Sequence, residues 1–165
     1  MKLTKQKIVM IAAAALGVLA ILLLLAPGVS VKTIGGTLLK PEEKWEGVSG
    51  FKVAFGSGDG AKFSFVLFLP FLLAIVGIAL TVTSLFVDNT ILKVVAAAVF
   101  VVAGIFFFMY LTFYPTLVEN ETGKKIIEEA IKNKGIKLGV GAIMAGILSI
   151  LAGAATCVGT FVIKK

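Results

Sequence analysis

Four apolar runs, each free of charge in its middle, constrain this chain more than any motif in it. They extend over 8–29, 63–87, 91–113 and 138–163. An α-helix rises about 1.5 Å per residue, so roughly 20 residues cross a hydrocarbon core. Backbone polar groups in lipid need partners within the protein, and a run this long meets that need only as a helix. The expected fold class is all-α integral membrane. It is a four-helix transmembrane bundle, one membrane domain over 1–165, with a small β-prone extracytoplasmic loop 1 (30–62) and a short amphipathic helix in loop 3 (114–137).

A hydrophobic fraction of 59% lies above that of ordinary soluble domains. All 16 basic residues are Lys, and His is absent. An Arg-free, Lys-rich composition fits the product of an AT-rich bacterial genome. The net charge of +7 suits the lipid bilayer and its anionic headgroups as partners. Nucleic acid is excluded, because the charge is spread over both sides of the membrane rather than gathered on one soluble face. Cys157, the single cysteine, excludes an intrachain disulfide and is expected as a small buried packing residue.

Lys2, Lys5 and Lys7 precede the first apolar run as they would in a secretory signal. That run exceeds the 7–15 residues or so of a signal's apolar region, so an uncleaved anchor is expected. A cytoplasmic N-terminus then places both termini and 88–90 inside, with loops 1 and 3 outside. Phe63, Phe65, Phe68 and Phe71 open the second run, while Phe106, Phe107, Phe108, Tyr110, Phe113 and Tyr114 close the third. Antiparallel helices bring these two ends to one membrane face as an aromatic belt.

Helices in lipid associate through small residues. Gly141, Ala145, Ser149, Ala152, Thr156 and Gly159 recur every three or four positions along the fourth run, and Gly139, Ala142, Gly146, Gly153 and Thr160 form an adjoining stripe. A helix small on two sides can touch two neighbours, so the fourth is expected at the centre. Such stripes serve either packing within the monomer or a homo-oligomer contact. Pro70 either opens the second helix or kinks it, and 63–69 would leave the membrane as an extended segment in the first case.

In loop 1, Phe51, Val53 and Phe55, then Phe63 and Phe65, alternate with other residues around Gly56-Ser57-Gly58-Asp59-Gly60, which predicts a β-hairpin. A weaker hairpin is expected from 29–34 and 37–39 around Gly35-Gly36. Trp45 lies between the two, and Trp45, Phe51 and Phe55 form the expected interaction surface. The Gly-rich turn matches neither a phosphate loop nor a calcium loop, since Lys62 stands outside the required spacing and Asp59 is the turn's sole carboxylate. Glu42, Glu43 and Glu46, mixed with Lys40 and Lys44, predict a solvated surface. In loop 3, Ile126, Ile127, Ala130 and Ile131 predict an amphipathic helix over 124–134 lying on the outer leaflet, or in a partner's groove, with Gly135 as its stop. Asn120-Glu121-Thr122 matches a glycosylation sequon.

Four helices, a β-prone first outer loop holding Trp45-Glu46-Gly47, and a very short inner loop together resemble the layout of claudin-type tetraspan proteins. The loop of that family carries Gly-Leu-Trp followed by a cysteine pair, and loop 1 here has no cysteine. The resemblance covers the arrangement alone and transfers no residue roles.

No catalytic, cofactor-binding or metal-binding residues are assigned, and no cofactor is expected. Membrane enzymes of the familiar kinds need His, Asp or metal-ligand sets near the membrane, and proton-coupled exporters need an embedded carboxylate. Two functions remain. One is a non-catalytic accessory or envelope-organising subunit with a membrane-protein partner. The other is a small oligomeric channel or uncoupled transporter, with Thr81, Thr83, Ser84, Ser149 and Thr156 as mild polar linings.

Overall fold

The computed structural model describes residues 4–37, 40–56, 62–87 and 89–163. Four of its helices are long and apolar enough to cross a membrane, and they span Lys5–Leu25, Phe65–Phe86, Thr90–Phe108 and Val140–Val162. The first is α1 (Lys5–Leu22) closed by a 3-10 turn (Leu23–Leu25), the second is α3 (Phe65–Phe86), and the third is α4 (Thr90–Phe108). The fourth is α7 (Val140–Cys157) with a final π turn (Val158–Val162).

α1 packs on α3 and α7, and α4 packs on the same two, so the helices form a ring in the order α1–α3–α4–α7. The expectation of a central fourth helix is corrected: α7 is one corner of a square. The middle of that square is filled by Phe100. Its ring enters holes left by glycines on α1 and α3, since a Cβ on Gly17 would lie 2.7 Å from Cε1 of Phe100, and one on Gly77 would lie 2.9 Å from it. Between α4 and α7 the backbones themselves approach, and a Cβ on Gly104 would sit 2.9 Å from the carbonyl oxygen of Gly146. Small residues thus replace the hydrophobic driving force that lipid removes.

One end of the ring is capped by a three-stranded sheet in the order β2-β1-β3. β1 (Pro27–Thr37) leaves α1 directly, β2 (Lys40–Ser49) returns antiparallel to it, and β3 (Ile136–Leu138) joins from loop 3 just before α7. Val29 pairs with Val48 and with Leu138, and Val31 with Ile136. Those apolar residues turn toward the core formed by Leu24, Val53, Leu67, Phe107, Tyr110 and Ala142. The sheet therefore ties the end of α1 to the start of α7. The knot is tight: Gly50 N–H donates to the carbonyl of Ala26 at 3.0 Å and Gly139 N–H to that of Gly28 at 2.8 Å.

Several sequence expectations change. The first apolar run ends as a helix before Pro27, so Val29 is strand, and Leu138 likewise belongs to β3 rather than to the fourth helix. The third run breaks at Met109 into a short α5 (Tyr110–Phe113) and a 3-10 turn (Tyr114–Leu117) containing Pro115. Pro70 lies inside α3, which begins at Phe65, so 65–69 is helical and not extended. The weaker hairpin is the real one, but its strands pair as far as Thr37 with Lys40, and Gly35 and Gly36 lie within β1. The stronger hairpin does not form. Phe51, Val53 and Phe55 lie on α2 (Gly50–Phe55), capped by Ser49, whose Oγ accepts from Lys52 N–H at 3.3 Å, and closed by left-handed Gly56. Residues 57–60, including the expected turn and Asp59, lie outside the described residues. Cys157 is exposed on the outside of the ring, not buried in packing.

Loop 3 does hold an amphipathic helix, α6 (Glu121–Lys132). Asn120, the sequon asparagine, is its N-cap, with Oδ1 accepting from Thr122 N–H at 3.2 Å. Ile127, Ala130 and Ile131 pack against the core, whereas Ile126 is 62% exposed, so the expected four-residue face is three residues wide. The helix ends at Lys132, three positions before Gly135, with Lys134 in the left-handed region at φ 56°.

Candidate functional site

The sheet end carries the expected interaction residues, on two separate surfaces. Trp45 lies on β2 opposite Lys32 of β1, on the sheet face turned away from the core, and is 45% exposed. Lys137 of β3 sets its ammonium 4.3 Å from the Trp45 ring centroid, a cation–π contact across the sheet. Lys32 bridges to Glu43 at 2.6 Å on the same face. Charged side chains on the edge strand β2 also discourage unwanted strand pairing.

Phe51 and Phe55, one helical turn apart on α2, stack with ring centroids 6.2 Å apart. Phe71 of α3 packs edge-on to both, at 5.4 and 5.7 Å, and Phe68 reaches Phe55 at 5.3 Å and Phe63 at 5.5 Å. Phe55, Phe63 and Phe65 remain about half exposed, so the cluster ends in an aromatic ridge. Loop 3 holds this ridge in place. Lys62 N–H donates to the carbonyl of Leu117 at 2.7 Å, Ser64 and Thr116 hydroxyls share a 2.6 Å hydrogen bond, and Lys62 pairs with Glu119. Trp45 and the Phe51/Phe55 pair are thus parts of one braced cap, but not one contiguous contact.

Gly141, Ala145, Ser149, Ala152, Thr156 and Gly159 are all buried within the chain. The stripe faces α1 at both ends. A Cβ on Gly141 would lie 2.7 Å from the carbonyl oxygen of Leu23, and one on Gly159 would lie 3.2 Å from Sδ of Met10. In the adjoining stripe, Gly146 and Gly153 face Phe108 and Val101 of α4.

The interior offers little to a solute. Tyr110, Phe100, Phe107, Met10, Leu24 and Leu67 are its largest fully buried side chains. Four of the five hydroxyls expected as linings are occupied: Thr81 donates to the carbonyl of Gly77 at 2.8 Å, Ser84 to that of Thr81 at 2.7 Å and Thr156 to that of Ala152 at 2.8 Å. Thr83 donates to the carbonyl of Ala79 in the same way. The Tyr110 hydroxyl and Ser149 Oγ are buried without a hydrogen-bond partner among the described residues. Burial pushes the Tyr114 phenol up from its ordinary value of 10.0, which keeps it neutral. Among the described residues no three His, Cys, Asp or Glu side chains gather as a metal site.

Sequence reasoning missed Lys93. It sits in the first turn of α4, inside the apolar run, and only 4% of its surface is exposed. It also interacts with another group of the chain. With Lys7, Thr4, Gln6, Met10, Ser84, Leu85 and Phe86 it lines a cavity of about 270 Å³ at the end of the ring opposite the sheet. A lysine near a helix end usually snorkels to water, and that habit hid this one. The available signal was its position, fourth in the helix, opposite the Ser84 end of α3. No protein-family model matches this chain, and no curated protein sequence matches it.

Proposed function

We propose that this protein is a non-catalytic multi-pass membrane protein, an accessory or envelope-organising subunit that engages another membrane protein through its sheet end. The cap carries this reading: the sheet, α2 and α6 are braced against one another and against the bundle, yet leave Trp45 and the Phe55 ridge exposed. Half-exposed Trp and Phe on rigid elements suit an interface anchor, because little conformational entropy is lost when they are covered. The expected orientation has both termini in the cytoplasm and the cap outside a cell membrane. The mixed charges of Lys32, Glu43 and Lys137 around Trp45 supply a polar rim.

The alternative, an oligomeric channel or uncoupled transporter, is less well supported, since Phe100 fills the axis and most of the interior hydroxyls are bonded within their own helices. Conduction would then need a pore between copies, and both small-residue stripes of α7 are already spent on α1 and α4. The test is purification in mild detergent with a measured particle mass and mass spectrometry of the contents. A foreign membrane protein in fixed ratio, lost from Trp45→Ala or Phe55→Ala protein that still elutes at its own mass, supports the proposal. A homo-oligomer unaffected by both substitutions refutes it.

A further inference from the structure

We infer that the cavity at the end of the ring opposite the sheet binds the phosphate of an anionic lipid headgroup. The cavity combines two kinds of wall. Lys7 and Lys93 line it from α1 and α4, together with Thr4 and Gln6. The Thr4 hydroxyl oxygen accepts from Lys7 N–H at 3.4 Å, which leaves its own proton for an incoming oxygen. Lys93 also has an interaction within the chain. Both α1 and α4 begin at this end, so their dipoles add to the positive potential. Among the described residues, this end carries Lys5, Lys7 and Lys93.

The other wall is apolar and favours a lipid over a free anion. Met10, Leu85 and Phe86 line the cavity. Phe86 is 78% exposed, and Ile8 and Ile91 at the same end are 54% and 71% exposed, which marks the lipid-facing flank down which acyl chains would run. A cavity of about 270 Å³ lies at the small end of ligand sites, so it holds a headgroup and leaves the chains outside. The site is independent of any partner at the sheet end.

The experiment is native mass spectrometry of the full chain released from nanodiscs of phosphatidylcholine containing a graded fraction of phosphatidylglycerol. The expected result is one retained phosphatidylglycerol in preference to phosphatidylcholine. Lys7→Gln should weaken retention on the order of fivefold, the effect of one lysine at a lipid surface, while Lys124→Gln on α6 leaves it unchanged. Lys93→Gln should weaken it further, but Lys7→Gln, at a half-buried position in the first turn of α1, carries the test if that variant does not fold. Equal loss from Lys7→Gln and Lys124→Gln, or no lipid preference, overturns the site in favour of general surface charge. Displacement of the lipid by millimolar inorganic phosphate overturns the lipid as the occupant and leaves a free phosphate site.

Discussion

Phe100 is the residue on which the ring closes. It was one aromatic among 13 Phe in the sequence, and nothing in its neighbourhood distinguished it, because the glycines that admit it lie on α1 and α3. Phe100→Ala should cost about 3–5 kcal/mol, as for other large-to-small changes in a close-packed interior, and should show as a lower midpoint in detergent-titrated unfolding. Gly17→Leu should be comparably damaging for the opposite reason, overfilling the same contact. Tyr110 and Ser149 point the other way. Each buries a hydroxyl without a described partner, so Tyr110→Phe and Ser149→Ala should be neutral or stabilising by about 1 kcal/mol in the same titration. A loss above about 2 kcal/mol in either variant would show that the hydroxyl makes a bond that matters to the fold.

Among the elements, the sequence was most legible where hydrophobicity alone decides. The four spans, the amphipathic helix of loop 3 and the small-residue faces of α7 all follow from local pattern. The sheet was legible only in part. The charges of β2 hide it, because Lys40, Glu42, Glu43, Lys44 and Glu46 suit an edge strand as well as a solvated loop, and β3 is three residues long and pairs across more than 100 positions of chain. The Phe51–Phe55 segment failed for a clearer reason. Over five residues, positions 51 and 55 share a face both in a strand of period two and in a helix of period 3.6. Ser49 as N-cap and Gly56 as left-handed stop decide for the helix, and the stacked rings record it. A related detail at the end of α6 is testable. Lys134 N–H donates to the carbonyl of Ile131 at 3.1 Å and Gly135 N–H to that of Ala130 at 2.8 Å, so a lysine occupies the left-handed position where glycine is usual. Lys134→Gly should stabilise this helix end by about 1 kcal/mol, seen as slower amide exchange through Glu129–Lys132. Faster exchange would mean that the Lys134 side chain contributes more than its backbone conformation costs.

At the scale of the whole molecule, the two ends of the ring differ in kind. The sheet end is braced, aromatic and partly exposed, and the other end holds a basic cavity among apolar walls. Between them the interior is filled, so liposomes loaded with this protein should remain tight to monovalent ions, and a dissipated gradient at low protein load would favour the channel instead. Neither the cap's brace nor the Lys93 cavity could be read along the chain, since each joins residues from separate spans. The proposed work of the protein rests on the cap, and the most direct measurement is photo-crosslinking in native membranes from single positions. A photoreactive side chain at Trp45 or Phe55 is predicted to capture one protein of defined mass, while the same group at Ile147 on the lipid-facing side of α7, itself 41% exposed, captures lipid alone. Capture of a protein from Ile147 and none from Trp45 or Phe55 would contradict it.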